Sequence, residues 1–268
     1  LRTPLEKDCK VELLTFDNVD GQKTFWHTAS HVLAQAVKRL YPNAKCAIGP
    51  AVDNGFYYDF DVEKPFSPED LEKIKAEMKK IVKSGLELER VELSPEEAEK
   101  KLEEMNEPYK VELVKEHSDK GEHITFYKQG EFIDLCAGPH LMSVAPIKAI
   151  ELTACTGAYW RGDANNAQLC RVYGVAFPKA SMLEEHLKKL EEAKLRDHNK
   201  LGRELEYFTT VDYVGQGLPI LLPKGARVVQ LLQRWVEDVE QSKGCLLTKT
   251  PLLAKRDLYK ISGHWDHY

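Results

Sequence analysis

Two pairs of chemically versatile side chains, each with its members four residues apart, constrain this sequence more than any other feature. The first pair is His27 and His31, and the second is Cys136 and His140. In a helix, residues four apart lie on one face, so the two histidines can act on one small target. Gly138-Pro139 interrupts the second pair, which predicts a turn there. Together the four side chains favour a site that binds a metal or moves protons around a water molecule.

Length and composition bound the class of protein. A chain of 268 residues with 43% hydrophobic and 30% charged side chains can bury a sizeable core and fits two folded domains better than one. Its net charge of −5 gives no overall attraction for nucleic acid, so RNA contacts must come from local Lys and Arg clusters. Six scattered cysteines without a CxxC pair, no secretory signal and no apolar run of membrane-spanning length predict a cytoplasmic protein with reduced thiols.

The histidine pair lies in a segment with helical periodicity. Apolar residues recur at helical spacing from Thr24 to Leu40, and Pro42 then ends the pattern. Both histidines fall in the first two turns of this predicted helix, where the positive helix end lowers the pKa of an imidazole. The neutral form, which can act as a base or a ligand, is therefore favoured.

Around this helix the sequence predicts an α+β domain over residues 21–177. Two hairpin turns, two Ser-Pro-Glu helix starts and three further strand patterns contribute to the prediction. The second hairpin delivers Cys136 and His140 at its end. We therefore expect an antiparallel sheet with packed helices. The turns lie at 53–55 and 130, the helix starts at 67–69 and 94–96, and the strands at 86–93, 149–153 and 167–177.

Residues outside this domain give weaker signals. Residues 12–16 have the pattern of a single strand, which cannot bury a core alone, so we interpret residues 1–20 as the tail of a domain. A charged helix over 181–205 is either a solvated linker or a surface that also contacts RNA phosphates. An amphipathic helix at 226–242 and a strand at 245–251 begin a further unit.

The His and Cys residues leave more than one kind of site open. One Cys and three His side chains would make a closed tetrahedral zinc site, which normally has a structural role. A catalytic zinc ion normally has three protein ligands and one open position. The same side chains without a metal could instead position and deprotonate a water molecule.

Six short motifs spread over the chain carry a resemblance to a known family. They are HTASH (27–31), AIGP (47–50) with NGFYYD (54–59), DLCAGPH (134–140), TGAYWRGD (156–163), RDHNKLG (196–202) and SGHWD (262–266). In this order they resemble the bacterial threonyl-tRNA synthetases, and the resemblance covers essentially all of the sequence.

The resemblance implies that the sequence has four parts and that the protein has two kinds of partner. Residues 1–20 would end a ubiquitin-like N-terminal (TGS) domain, and residues 21–177 would be an editing domain of the threonyl/alanyl-tRNA synthetase type. Residues 178–205 would form a helical linker, and residues 206–268 would begin an incomplete class II catalytic domain. ATP and the catalytic Zn²⁺ of the full-length enzyme would bind beyond Tyr268, so aminoacylation is not expected. The implied partners are the threonine isoacceptor tRNAs and, for the full-length enzyme, a second copy in a homodimer.

The resemblance also implies site residues. His27 would position or deprotonate water, Lys110 would stabilise developing negative charge, and Asp134 would bind the substrate's ammonium group. Tyr58 and Cys136 would shape the pocket against the methyl group of threonine. Trp160 and Arg161 would stack on the terminal adenosine. The alternative is that Trp160 is a core residue and Arg161 forms a salt bridge. The full set is His27, His31, Lys110, Cys136, His140 and Asp134 as catalytic residues, with Tyr58, Asp134, Trp160 and Arg161 as substrate-binding residues.

The implied reaction is hydrolysis of serine mischarged on threonine tRNA, and it requires no cofactor. The alanyl relatives use the corresponding His, His, Cys and His set to hold zinc, so Zn²⁺ on His27, His31, Cys136 and His140 stays an alternative. One rival interpretation is a non-catalytic RNA-binding and dimerisation fragment with a structural zinc site. Another is a free-standing zinc hydrolase of small esters.

Overall fold

A computed structural model describes residues 7–215 and 217–266, and the chain divides into two compact units. One unit ends at Lys189 and the other begins at Leu190. Single 3-10 turns occur at Trp160–Gly162 and His264–Asp266. The helices are α1 (Val19–Leu40), α2 (Pro68–Ser84), α3 (Pro95–Glu104), α4 (Pro108–Asp119), α5 (Ala180–Leu195), α6 (His198–Glu204), α7 (Pro223–Ser242) and α8 (Arg256–Ile261).

The strands of the first unit form two antiparallel sheets. The larger sheet has the order β1-β3-β8-β7, with β2 also pairing with β3, and the smaller sheet has the order β4-β5-β6. In the second unit β9 and β10 pair with each other. The strands are β1 (Lys45–Cys46), β2 (Ala51–Val52), β3 (Gly55–Asp61), β4 (Leu88–Glu92), β5 (Thr125–Gln129), β6 (Phe132–Leu135), β7 (Ala149–Tyr159), β8 (Gln168–Phe177), β9 (Phe208–Thr209) and β10 (Ile220–Leu221).

Helix α1 is the central element of the main core. Its apolar positions Val32, Leu33 and Val37 have no exposed surface and belong to the same buried cluster as the inward-facing residues of the larger sheet. Burying each such side chain contributes about 1.5–3 kcal/mol. Near the start of the helix, the indole N–H of Trp26 donates a 2.9 Å hydrogen bond to the carbonyl of Ala176. This bond fixes the position of α1 relative to β8.

Helices α3 and α4 form a separate small core with the smaller sheet. Ala98 and Leu102 of α3 and Val114 of α4 pack with Ile124 and Phe126 of the sheet. Because the apolar side of α4 faces this core, the helix also has a fixed rotation about its axis. The packing therefore determines where the other residues of α4 point.

The two Ser-Pro-Glu signals are confirmed as helix starts. Ser67 accepts a 3.2 Å hydrogen bond from the backbone N–H of Asp70, and Ser94 accepts one of 3.3 Å from that of Glu97. In both cases the acidic side chain bonds back to the backbone N–H of the serine, which completes a capping box. Proline occupies the first helical position, where its missing N–H costs no hydrogen bond.

The structure confirms the α+β class, both hairpins and the strands predicted within residues 21–177, and it corrects the number of sheets. The sequence predicted an antiparallel sheet over 21–177, whereas β4, β5 and β6 pair separately from the others. The smaller sheet packs with α3 and α4 in one buried cluster, while Phe132 of β6 belongs to the main cluster with the larger sheet. Alternating patterns show which residues are buried but not which strands pair, so this division could not be predicted.

Two predicted strands do not form, and two predicted helices have other bounds than expected. Residues 12–16 and 245–251 form no strand, because no partner strand pairs with them within the described ranges. The first helix begins at Val19 rather than Thr24, after a turn in which Thr15 and Asn18 bond to each other. The helix predicted over 181–205 is interrupted after Leu195, where Asp197 caps α6 by accepting a hydrogen bond from the Lys200 N–H.

The second unit is built from short elements and one long amphipathic helix. Gly202 of α6 lies against the ring of Phe208, and a side chain at that position would overlap the ring. Helix α7 confirms the amphipathic helix predicted at 226–242, although it begins at Pro223, and its Trp235 is 62% exposed. In the parts of the chain that the structure describes, no helix has the length and apolarity needed to cross a bilayer.

A surface ion pair of the first unit predicts a pH-dependent contribution to stability. The 2.6 Å bond from Arg39 lowers the pKa of Glu131 from its ordinary 4.5 to about 2. Because the pKa is lower in the folded chain, the contribution is complete above pH 4.5 and is lost as the pH falls towards 2. Glu131 is 58% exposed, so we expect Glu131→Gln to lower the free energy of unfolding by only about 0.5–1 kcal/mol at pH 6.

Urea unfolding of both chains at several pH values between 6 and 3 measures this difference. We expect the two free energies of unfolding to converge as the solution becomes more acidic. Glu104→Gln, at an exposed position of α3, serves as the matched control. A Glu131→Gln difference that stayed constant with pH would contradict the prediction.

Candidate active site

Four side chains from two distant segments meet in the first unit, beside an open cleft that three of them line. His27 and His31 project from α1, while Cys136 and His140 follow β6. The ring nitrogens and the sulfur that could serve as ligands all lie within 4.8 Å of one another. The rings of His27 and His140 stack with their centroids 4.3 Å apart. The structure therefore brings together the two pairs that the sequence singled out.

The three imidazoles are neutral near pH 7. Burial is the main cause that lowers the pKa of each one, and for His31 and His140 the neighbouring histidines lower it further. The sequence attributed this effect to the N-terminal end of the helix. That explanation was wrong, because α1 begins five residues earlier than predicted and the histidines lie beyond its first two turns.

The thiol of Cys136 lies at the centre of the group. Its sulfur is 3.3 Å from Nε2 of His27 and 3.2 Å from Nε2 of His140, and it accepts a 3.2 Å hydrogen bond from the N–H of Gly138. Burial raises the pKa of this thiol to about 12. Cys136 is therefore protonated at neutral pH and can donate its proton to one of the two imidazoles.

The turn after β6 depends on Gly138. Its φ of +73° lies in the left-handed region, which glycine adopts without steric cost. A side chain here would also overlap the hydroxyl of Tyr127. The peptide bond between Gly138 and Pro139 is cis. This tight turn directs Cys136 and His140 towards the same point.

Thr28 orients His140 from the buried side. The Thr28 hydroxyl donates to the carbonyl of Thr24 at 2.9 Å and accepts from the N–H of Leu141 at 3.0 Å. Its oxygen also lies 3.2 Å from Nδ1 of His140. Since the hydroxyl proton is already used, Nδ1 must carry the proton that joins them. Nε2 of His140 is therefore left as an acceptor facing Cys136.

Replacing Thr28 by valine tests this arrangement. The substitution keeps the shape but removes the hydroxyl, which leaves the N–H of Leu141 and Nδ1 of His140 without their partner. Each unsatisfied buried group costs about 1–3 kcal/mol, so urea unfolding should detect a loss of at least about 1 kcal/mol. Thr28→Ser keeps the hydroxyl and should retain most of the stability. Equal losses in both variants would contradict this role.

A buried ion pair forms the second part of the site. Nζ of Lys110 lies 2.7 Å from Oδ1 of Asp134, and both side chains are at most 5% exposed. The hydroxyl of Tyr58 donates a 2.6 Å hydrogen bond to Oδ2 of Asp134, and Nε2 of His31 lies 3.7 Å from the same oxygen. Burial opposes the charge on Lys110, but the Asp134 carboxylate keeps the pKa of the ammonium group above its ordinary value. The ammonium group of Lys110 therefore stays charged at neutral pH.

The cleft has a volume of about 380 Å³ and connects these two groups. Its walls come from α1, the segment 48–50, α4 and the β5–β6 hairpin with its following turn. His27, His31, Lys110, Asp134 and Cys136 all line it. Tyr58 is fully buried behind Asp134 and does not reach the cleft. An acyl group that enters can therefore meet imidazoles, a thiol, an ammonium group and a carboxylate together.

Trp160 and Arg161 are not among the residues that line the cleft. Trp160 is 6% exposed, and its indole N–H donates a 3.1 Å hydrogen bond to Glu112. The guanidinium of Arg161 is 2.9 Å from Glu112, also pairs with Glu116, and lies over the Trp160 ring. These contacts match the alternative of a core tryptophan and a salt-bridged arginine.

Sequence reasoning missed two other residues of the site, buried Thr28 and the cleft-lining His117. Thr28 follows His27 directly, and nothing in its pattern indicates a contact with a residue more than a hundred positions away. His117 lines the cleft on α4, one turn beyond Leu113, and pairs with Glu122 at the mouth. His117 was missed because the sequence analysis predicted no helix at α4. Pro108 at the first position of α4 is nevertheless a recognisable helix start.

The His27, His31, Cys136 and His140 group could hold a metal ion. Three nitrogen donors and one sulfur donor match the preference of zinc, and the bond from Nδ1 of His140 to Thr28 is the outer-shell partner that such ligands usually have. Nδ1 of His31 is buried and makes no hydrogen bond within the described residues, so it is free for a further partner. By donor type and spacing the residues fit the ion.

Comparison with known proteins places this site in a class. The profile of the threonyl and alanyl tRNA synthetase second additional domain matches residues 124–173. This match includes β5, β6, β7 and most of β8, and with them Asp134, Cys136 and His140. The first unit therefore carries a domain found in threonyl-tRNA and alanyl-tRNA synthetases.

The full sequence specifies the family further. The chain is 62% identical to the threonine-tRNA ligase of Clostridium perfringens, 56% identical to that of Clostridium tetani and 53% identical to that of Caldanaerobacter subterraneus, in each case over all 268 residues. The resemblance drawn from the six motifs is thereby confirmed, since the chain is similar to threonine-tRNA ligases along its whole length. It spans 41–42% of the length of these relatives.

Proposed function

We propose that the first unit hydrolyses the ester that joins serine to threonine tRNA, an editing reaction. The observation that carries this proposal is the cleft in which neutral imidazoles and the Lys110–Asp134 ion pair face the same space. A base without charge and a fixed cation are the groups that ester hydrolysis by water needs. The choice of threonine tRNA as the substrate rests on the names of the relatives, which are threonine-tRNA ligases.

Editing answers a selectivity problem in the synthesis of aminoacyl-tRNA. Serine lacks one methyl group of threonine, and a synthetic pocket that fits threonine cannot strongly reject a smaller molecule. One methyl group is worth only about 1–3 kcal/mol of discrimination, which is 10-fold to 200-fold. A second site that admits serine and excludes threonine supplies the remainder.

In the proposed reaction His27 takes the proton from an attacking water molecule. Its ring lines the cleft and its lowered pKa keeps it neutral at pH 7. Lys110 has N–H groups beyond the one that bonds Asp134, and these stabilise the negative charge that develops on the ester oxygen. Asp134 binds the ammonium group of the seryl ester through its remaining acceptor positions.

The proposed source of selectivity is the side of the cleft at Cys136, which contacts His140 outside the cleft lining. Their contacts with each other and with Thr28 leave these side chains little freedom to move away from an added methyl group. Tyr58 was expected to shape the pocket directly. Because it lies behind Asp134, we assign it to holding that carboxylate in place. His31 has the same kind of supporting role.

The reaction proposed here requires no metal. When bound, zinc would be held by His27, His31, Cys136 and His140 and would supply Lewis-acid polarisation or, as a closed site, rigidity. Binding would release the proton of the Cys136 thiol, because the thiolate is the form that coordinates zinc.

The remaining assignments follow the family. We propose that residues 1–20 end a ubiquitin-like N-terminal domain, 21–177 form the editing domain, 178–205 the linker, and 206–268 the beginning of a class II synthetase domain. We also propose threonine isoacceptor tRNAs as the nucleic-acid partner, the cytoplasm as the location, and a homodimer for the full-length enzyme. Aminoacylation would require ATP and zinc sites that the family has in its later motifs.

The deciding experiment is a deacylation time course with the purified chain. We expect hydrolysis of seryl-tRNA for threonine, little hydrolysis of the threonyl-tRNA, and no effect of a chelator. Loss of activity with chelator, restored by zinc, would support the metal-dependent alternative. Equal rates on both aminoacyl-tRNAs, or on a simple serine ester, would contradict the proposed editing function.

A further inference from the structure

Two cysteines of the larger sheet form a close pair that the proposed reaction does not use. The sulfur atoms of Cys155 on β7 and Cys170 on β8 lie 2.7 Å apart. This separation is only about 0.7 Å longer than the bond in a disulfide. Neither residue lines the cleft described above. The pair is therefore a separate chemical feature of the first unit.

The strand register explains how the two side chains meet. Cys155 lies opposite Val172, and Cys170 lies opposite Gly157, so the cysteines are diagonal neighbours on one face of the sheet. Diagonal side chains on paired strands are normally within reach of each other only when they lean together.

The two thiols differ in accessibility and in reactivity. Cys170 is 5% exposed, whereas Cys155 is only partly buried. A hydrogen bond from Cys170 lowers the pKa of Cys155 to about 7, and the same bond together with burial raises the pKa of Cys170. The more accessible sulfur is thus also the better nucleophile, since the thiolate is the reactive form.

We propose that Cys155 and Cys170 are an oxidisable pair that a hydroperoxide converts into a disulfide between β7 and β8. The sulfur of Cys155 attacks a peroxide oxygen, the O–O bond breaks, and the products are a sulfenic acid and water when hydrogen peroxide is the oxidant. The sulfur of Cys170 then attacks the sulfenic sulfur and releases a second water. Two thiols lose two electrons and two protons, and one peroxide is reduced to two waters.

The other cysteines of the first unit lack this combination. Cys9 is exposed. Cys46 is buried, and burial raises the pKa of its thiol. Cys136 is held as a protonated thiol between two histidines. No pair other than Cys155 and Cys170 has its sulfur atoms in contact among the residues that the structure describes. The link should therefore be specific.

Tryptic mapping of the whole chain after treatment with hydrogen peroxide tests the proposal. Cleavage after Lys148, Arg161 and Arg171 places Cys155 in peptide 149–161 and Cys170 in peptide 162–171. We expect these two peptides to be recovered as one linked species, two hydrogens lighter than their sum, that separates on treatment with dithiothreitol. The untreated chain should yield both peptides alkylated and unlinked.

Two variants complete the test. In Cys170→Ala the linked species should be lost completely, and Cys155 should remain a sulfenic acid that dimedone labels. Cys245→Ser changes an exposed cysteine of the second unit and should leave the linked species unchanged. Peroxide treatment that oxidises Cys9 or Cys136 while both peptides stay unlinked would overturn the proposal. A mixture of links among all cysteines would overturn it as well.

Discussion

Replacing Lys110 by methionine is expected to destabilise the first unit by about 3–5 kcal/mol and to reduce hydrolysis of seryl-tRNA at least 100-fold. Methionine preserves much of the length of the side chain but leaves the Asp134 carboxylate, which is 5% exposed, without its cation. Removing one partner of a buried ion pair costs this much because the remaining charge is uncompensated. Loss of the cation also removes a stabilising group from the reaction, typically worth 100-fold to 1,000-fold. Urea unfolding at pH 7 and the deacylation assay measure the two effects.

A double variant separates folding from chemistry. Lys110→Met combined with Asp134→Asn removes both charges and should recover much of the lost stability, while hydrolysis stays at the level of the single variant. Lys45→Met is the control for a pair near the surface, because Lys45 lies 3.8 Å from Asp61 and both are about one-third exposed. It should cost less than about 1 kcal/mol. A similarly small cost for Lys110→Met would contradict the buried ion pair.

Elements with local signals could be predicted from the sequence. A capping serine, a first-turn proline and an acidic residue three positions later lie within a few residues, as at Ser67 and Ser94, so the helix start needs no tertiary information. The turn at Asn54-Gly55 is similar, because the positive φ that Asn54 adopts suits this dipeptide. Such signals identified α2, α3 and both hairpins of the first unit.

Elements that depend on partners could not be predicted. Residues 12–16 and 245–251 have strand-like patterns, but a strand needs a neighbour to pair with, and the sequence does not reveal whether one exists. The reverse holds for α4, which has a low amphipathic contrast because buried Lys110 lies on its inner side with Val114. A charged residue at a core position hides the pattern that reveals a helix.

The candidate site divides in the same way. The spacing of His27 and His31 and the turn at Gly138 predicted two local pairs, and the structure brings them within contact through the β5–β6 hairpin and the packing of α1. Lys110 entered only through the family resemblance. Thr28 carries no signal, because its role depends on a hydrogen bond to a residue 112 positions away. The sequence could thus predict the two pairs of reactive side chains, but not Lys110 and Thr28, which contact them or complete the site only in the folded chain.

His27→Ala is expected to reduce hydrolysis of seryl-tRNA by about 100-fold to 10,000-fold, the usual contribution of a general base. Stability should change by less than about 1 kcal/mol, since the His27 side chain lines the open cleft instead of filling the core. Because burial lowers the pKa of this imidazole below 6.5, the wild-type rate should stay constant down to about pH 6.5 and fall in more acidic solution as the base becomes protonated.

The pH profile distinguishes a base from a residue that only shapes the cleft. If His27 takes the proton from water, the plateau of the wild-type rate above about pH 6.5 should disappear in His27→Ala, whose small residual rate should rise with pH throughout because it depends on hydroxide. His186→Ala is the matched control, because this histidine contacts Phe177 away from the cleft and its removal should alter neither the rate nor the profile. A reduced rate in His27→Ala that keeps the wild-type plateau and its acidic decline would assign the base to another group, and His31 is another imidazole that lines the cleft.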